Sequence, residues 1–228
     1  MEERYRLFDQ TIAALHNAGV LSALVLVGSW SQHLYKHALT NTDEIPLLIT
    51  SDIDFLIPQP TQMTMPCDVP GILNELGYET ATSPVSGHVK YIRRELEVEF
   101  LVPEKGRGSD TPRKIQELMV SAQGLRYLNM LQEHTITVDY KGIPVAVVEP
   151  AAYALHKFLV SGRRTKKEKM EKDLASAIAM CEYVTHEMCG ITTMRDILNS
   201  LHPKWKKDIL LHIKKHIPEL HDSLISPG

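Results

Sequence analysis

The sequence predicts an α+β fold, with a mixed sheet and flanking helices over residues 1–149 and a helical region over residues 150–228. Three observations predict it. Every strand-like stretch lies before Pro150: the aliphatic runs "ALVLVG", "DIDFLIP" and "EVEFLVP", and the alternating "HTITVDYKGIPVAVVE". From Pro150 onward apolar residues recur at helical spacing almost to the end, and strand runs kept apart from helical runs mark an α+β architecture. The third is size. A chain of 228 residues, 43% hydrophobic and 23% charged, buries a sizeable core in one two-lobed domain or two small ones.

The elements follow in order. Residues 3–18 place Tyr5, Leu7, Phe8, Ile12 and Leu15 at helical spacing, and Gly19 is positioned to close that helix. The aliphatic run up to Gly28 reads as a buried strand. Ser31–Ala38 reads as a helix with Ser29 or Ser31 at its N-cap. "IPLLIT" leads into "SDIDFLIP", a second strand that Pro58 and Pro60 stop. "DVPGILNELGYET" is a short helix and a turn. "GHVKYIRRELEVEFLVP" holds two strands, the second running from Leu96 to Val102 and stopped by Pro103. "EKGRGSDTPRK" is a charged, Gly-rich loop, expected to be flexible. Residues 134–149 form a hairpin turning at Lys141-Gly142, and Gly162, Gly190 and Pro203 break the helices that follow.

Composition narrows the function. Net charge is −3 with an isoelectric point near 6.4, so no broad basic surface marks an obligate nucleic-acid binder, and no DNA-binding motif is present. Cys67, Cys181 and Cys189 lack CxxC spacing and the eleven histidines lack HExxH, which points to free thiols in a reducing cytosol and no zinc site. The N-terminus "MEERYRLFDQ" is charged rather than apolar. No apolar run approaches the ~18 residues of a membrane span. A soluble, cytoplasmic protein with no membrane partner is expected.

The chemistry concentrates in a few positions. Asp52 and Asp54 stand two apart in a strand, so both carboxylates share one face while Ile53 and Phe55 point the other way. Adjacent carboxylates repel unless a cation intervenes. Magnesium takes hard carboxylate oxygens and shares its remaining positions with phosphates. "EVEFLVP" repeats the pattern of "DIDFLIP", so Glu97 and Glu99 alternate on a second strand in the same way. If the strands are neighbours, a glutamate joins the pair. Glu99 precedes Phe-Leu as Asp54 does, and the choice between Glu97 and Glu99 is otherwise open. Gly28 allows close backbone approach, and Ser29 offers an N–H and a hydroxyl. The next helix directs its positive end to the same point, a geometry suited to phosphate.

These residues resemble the nucleotidyltransferase superfamily that includes DNA polymerase beta. Its pattern is hydrophobic-Gly-Ser, then acid-x-acid, then one acid on a later strand; here it reads "LVGS" (26–29), "DID" (52–54) and "VEF" (98–100). Between Ser29 and Asp52 stand 22 residues, more than the short helix and turn of minimal members, and "TNTDEIPLL" reads as an added loop. In the helical half, "VEPAAYALHKFLVSGRRTKKEKMEKDLASA" is similar to AbiEii-like bacterial nucleotidyltransferases, with His156-Lys157, Arg163 and Lys172-Asp173 in matching places. That resemblance implies that Lys157 and Arg163 contact the nucleotide and that the helical domain closes the nucleotide cleft.

The expectation is therefore nucleotidyl transfer dependent on Mg2+ (or Mn2+). Asp52, Asp54 and Glu99 are the predicted metal ligands and catalytic residues, and Gly28 and Ser29 hold the triphosphate. The partner is a nucleoside triphosphate such as ATP, with an acceptor that is an RNA end, a protein or a small alcohol. The competing expectation is a non-catalytic nucleotide-binding regulator or toxin–antitoxin-like component on the same fold.

Overall fold

A computed structural model of the chain describes residues 2–43, 45, 50–63, 65–104, 106 and 111–226. The chain divides into two compact units, Met1–Ala38 with Leu47–Val147, and Leu39–Pro46 with Val148–Gly228. The first is α/β and the second helical, so the predicted α+β class holds.

In the α/β unit, helix α1 (Glu2–Asn17) buries Leu7, Phe8, Ile12 and Leu15. Gly19, at φ +71, ends it: its N–H donates to the His16 carbonyl, and the Val20 N–H donates to that of Leu15. Strand β1 (Val25–Val27) is buried throughout and runs through Gly28 into helix α2 (Ser29–Ala38). Phe8 of α1 and Trp30 of α2 stack with ring centroids 4.1 Å apart, and Trp30 and Tyr35 are fully buried. His33 of α2 meets the Tyr140 hydroxyl at 3.1 Å, and that hydroxyl donates to Asp9 at 2.7 Å. Helix α2 is thereby pinned behind the Gly28 turn.

Strand β2 (Asp52–Leu56) precedes helix α3 (Val69–Glu75), whose N-cap Asp68 accepts from the Gly71 N–H. Then come β3 (Glu79–Thr82), β4 (Val89–Arg93), β5 (Leu96–Glu104), β6 (Pro112–Ile115), β7 (Val120–Arg126), helix α4 (Leu128–Glu133), β8 (Thr135–Tyr140) and β9 (Ile143–Val148). The sheet is mixed, in the order β3-β4-β5-β2-β1-β9-β8, with β7 also on β5 and β6 on β7. β2 lies parallel to β5 and antiparallel to β1, and β1 is parallel to β9. Lys141 and Gly142 both take positive φ, as a tight β8–β9 turn requires.

Several expectations are corrected. Pro103 does not stop β5, which continues to Glu104 and pairs with β7. N–H and C=O groups alternate sides along a strand. The Leu101 carbonyl accepts from Ile57 on the β2 side, so Pro103 lacks its N–H only where β2 has ended. Helix α2 starts at Ser29, so neither serine stands ahead of it as a cap. The Ser29 hydroxyl bonds that of Thr50, and the Ser31 hydroxyl donates to the Leu26 carbonyl. Within the predicted 104–114 loop, residues 112–114 belong to β6, and residues 105 and 107–110 lie outside the described residues. Of the "IPLLIT" lead-in and the "TNTDEIPLL" loop, residues 44 and 46–49 also lie outside them.

The helical unit contains α5 (Pro150–Ser161), α6 (Lys167–His186), α7 (Gly190–Ser200), α8 (Pro203–His216) and α9 (Pro218–Ile225). Glu149 caps α5 by accepting from the Ala152 N–H at 2.8 Å, with Pro150 in the first turn. Helix α5 packs on α6, α7 and α8, burying Ala151, Leu155, Phe158 and Leu159. Pro218 adds a break that the sequence reading did not anticipate. Among the described residues, no helix is long and apolar enough to cross a membrane.

Candidate active site

The site grows from strand register. In the parallel β2–β5 pair, Asp52 stands opposite Glu97 and Asp54 opposite Glu99. Residues two apart on a strand share a face, so the four carboxylates line one face of two adjacent strands. Ile53, Phe55, Val98 and Phe100 are buried on the other. The apolar positions hold the strands, and the core on that side leaves the acids nowhere to go but the open face.

On its other side β2 pairs with β1, placing Val27 opposite Asp54. The next residue, Gly28, takes φ +73, and a Cβ built on it would lie 2.6 Å from the Asp54 Oδ2. Only glycine suits that position. Ser29 follows as the first residue of α2; its hydroxyl bonds the Thr50 hydroxyl at 2.8 Å and accepts from the Thr50 N–H at 3.3 Å. The N-terminus of α2 thus lies at the same end of β1 as the Asp54 carboxylate, with Thr50 tying its first residue to the approach of β2.

Asp52, Glu97 and Glu99 each offer a carboxylate oxygen within 4.8 Å of the others. That hard oxygen donor set fits magnesium or manganese. The structure therefore brings Glu97 as well as Glu99 to Asp52, while the Asp54 carboxylate lies against Gly28.

One side chain among these carboxylates was not singled out from the sequence. The Lys90 ammonium of β4 lies 2.5 Å from Glu99 Oε1, 2.8 Å from Glu97 Oε2 and 3.7 Å from Asp52 Oδ1. Partial burial works to lower its pKa, but the hydrogen bonds to Glu97 and Glu99 outweigh this, and the ammonium is held above its ordinary value. Its place follows from the register of the β4–β5 hairpin. Arg93 pairs with Leu96 and Ile92 with Glu97, so continuing the register sets Lys90 opposite Glu99.

Lys157 and Arg163 belong to the helical unit. Asp173, buried on α6, accepts from Lys157 at 2.7 Å and from Arg164, the neighbour of Arg163, at 2.8 Å. Burial raises the Asp173 pKa, but the two cations overcome this and hold it below the usual carboxylate range. Arg163 donates to the Leu159 carbonyl and to Asp208. The adjacent His156 is held at about 3 by burial and then by Lys157.

The comparisons with known proteins meet this geometry. No curated protein matches the chain. An antigenic nucleotidyltransferase-like protein from Paracoccidioides brasiliensis has a similar crystal structure, with a TM-score of 0.52 at 14% identity over 94% of this chain and 91% of that one. The solution structure of the antibiotic-resistance factor ANT(2'')-Ia matches with a TM-score of 0.41 at 14% identity, covering 94% of this chain and 93% of that one. The first shows a shared fold. A family sequence model described as Nucleotidyltransferase matches residues 7–199, a span that contains the Gly28-Ser29 turn, all four strand carboxylates and Lys157 to Asp173. On that match this chain belongs to the nucleotidyltransferase family.

Proposed function

We propose that the protein transfers a nucleoside monophosphate from a nucleoside triphosphate to a hydroxyl acceptor, releasing pyrophosphate. One observation carries this reading: the register that sets Asp52 and Asp54 of β2 against Glu97 and Glu99 of β5, beside the Gly28 turn. Bare carboxylates on one face repel, and a site that gathers them is built for positive charge.

In this reading Asp52, Asp54 and Glu99 hold Mg2+ or Mn2+, which supplies positive charge against the triphosphate and the developing transition-state charge. Glu99 is favoured over Glu97 as the third ligand because it stands opposite Asp54 and is the less exposed, 17% against 28%. Gly28 lets the triphosphate approach the backbone, and Ser29 and the positive end of α2 bind its β- and γ-phosphate oxygens. The acceptor oxygen bonds to the α-phosphorus as the bond from that phosphorus to the bridging oxygen breaks, and pyrophosphate leaves with the electron pair. Glu99 takes the acceptor's proton. Lys157 and Arg163 are assigned to the nucleotide through the AbiEii-like resemblance, with Asp173 fixing the Lys157 ammonium. The acceptor is an RNA end, a protein or a small alcohol.

Label transfer tests the reading. The protein is incubated with each labelled triphosphate, magnesium or manganese, and cell extract as the acceptor source. Transfer is expected from the native protein and a loss of about 100-fold or more in Asp54→Asn, with circular dichroism unchanged. Equal transfer by the variant would remove Asp54 from the site. Magnesium-dependent triphosphate binding without transfer to any acceptor would favour the regulator.

A further inference from the structure

Lys90 stands where a cation is required. Its ammonium contacts carboxylate oxygens of Asp52, Glu97 and Glu99, the same three residues whose oxygens lie within 4.8 Å of one another. Magnesium binds carboxylate oxygens at about 2.0–2.1 Å. An ammonium packed 2.5–2.8 Å from Glu99 and Glu97 occupies the space such an ion would enter. The lysine stem is flexible, its charge is compact, and 37% of this side chain is open to solvent, so the ammonium has a route out. No rigid fork holds it as an arginine would be held.

We infer that Lys90 is a built-in competitor of the divalent ion. It neutralises the carboxylate face in the metal-free protein and must withdraw when the metal binds. This rests on the reading of the site as metal-dependent. Two consequences follow. Lys90 lowers the affinity for free metal, because binding must first break its contacts. It also stabilises the metal-free fold, because without it Asp52, Glu97 and Glu99 repel one another unopposed.

The test measures metal binding and stability rather than turnover. Mn2+ is titrated into native protein, Lys90→Met and Lys90→Arg without nucleotide, followed by the electron paramagnetic resonance of free Mn2+. Lys90→Met, which keeps the stem and removes the charge, is expected to bind Mn2+ about tenfold more tightly, and Lys90→Arg to bind it no more tightly than the native protein. Thermal unfolding in EDTA should occur at lower temperature for Lys90→Met, and added Mn2+ should restore it. Native binding with no tighter binding by Lys90→Met would overturn the inference and leave the metal site standing. Absence of Mn2+ binding in every form would overturn both. Transfer lost in Asp54→Asn reports on the enzymatic reading independently of Lys90.

Discussion

Gly28 is where conformation and chemistry meet most closely. Its φ of +73 lies in the left-handed region, and the space a Cβ would take is already held by the Asp54 carboxylate, 2.6 Å away. Alanine there meets two penalties at once. The backbone strain costs about 1–3 kcal/mol, and the side chain can be seated only by displacing a residue of the proposed site. Gly28→Ala is therefore expected to lower the urea midpoint and to remove label transfer more completely than the stability loss explains. A variant that keeps full transfer while losing stability would show that the turn serves the fold alone. Lys90 makes the complementary point at the same scale. Its own surroundings in the sequence, "GHVKYIRR", announce nothing; its meaning comes from the strand opposite.

At the scale of elements, the parts that could be read from the chain share a cause. Acid and apolar residues alternate from Asp52 to Phe55 in β2 and from Leu96 to Phe100 in β5, so the faces of these stretches are written in the local pattern. The β8–β9 turn is likewise local, since Lys141 and Gly142 supply the positive φ themselves. β7, "VSAQGLR", has one β-branched residue and an internal glycine, and earns its place only by pairing with β5 and β6. β6 opens on a proline and β3, "ETAT", is largely exposed, so neither carries a strand signature. Lys90 was illegible for the same reason: knowing that β4 and β5 form a hairpin does not set the register until the turn is known. Between α5 and α6 the order is reversed, because the family resemblance singled out Lys157 and Asp173 but gave no contact between them. The structure joins them at 2.7 Å, with Asp173 only 7% exposed. Removing one partner of a buried pair costs about 3–5 kcal/mol. Lys157 and Arg164 reach solvent, at 20% and 44%, so Asp173→Asn is expected to cost less, about 2 kcal/mol. Because the folded pKa of Asp173 is depressed, this contribution is present above its ordinary value of 3.8 and is lost as pH falls through the lower folded value. Urea unfolding at pH 7 and again below pH 3 checks both statements; an unchanged gap between native and variant at low pH would remove the ion pair as its source.

For the whole molecule, charge and compactness divide along the same line. Residues 1–38 and 47–147 carry twelve Lys and Arg against sixteen Asp and Glu, while residues 39–46 and 148–228 carry thirteen against twelve. The negative excess thus falls in the part that holds the proposed cation site, and each unit has an apolar core of its own. Ligand binding stabilises the part that binds, by about 2.7 kcal/mol at a hundredfold excess over Kd. For a chain of this size that is about 5–10 °C in Tm. The chain provides its own reporters, since its two tryptophans, Trp30 and Trp205, lie one in each unit. Trp30 is fully buried behind the Gly28 turn, so in Trp205→Phe the remaining fluorescence follows the α/β unit. Saturating triphosphate with magnesium is expected to raise the melting temperature read by Trp30 by that amount, and EDTA or Asp54→Asn to abolish the rise. An equal rise in EDTA would detach the triphosphate from the carboxylates, and no rise with any of the four triphosphates would place the nucleotide elsewhere or nowhere on this fold.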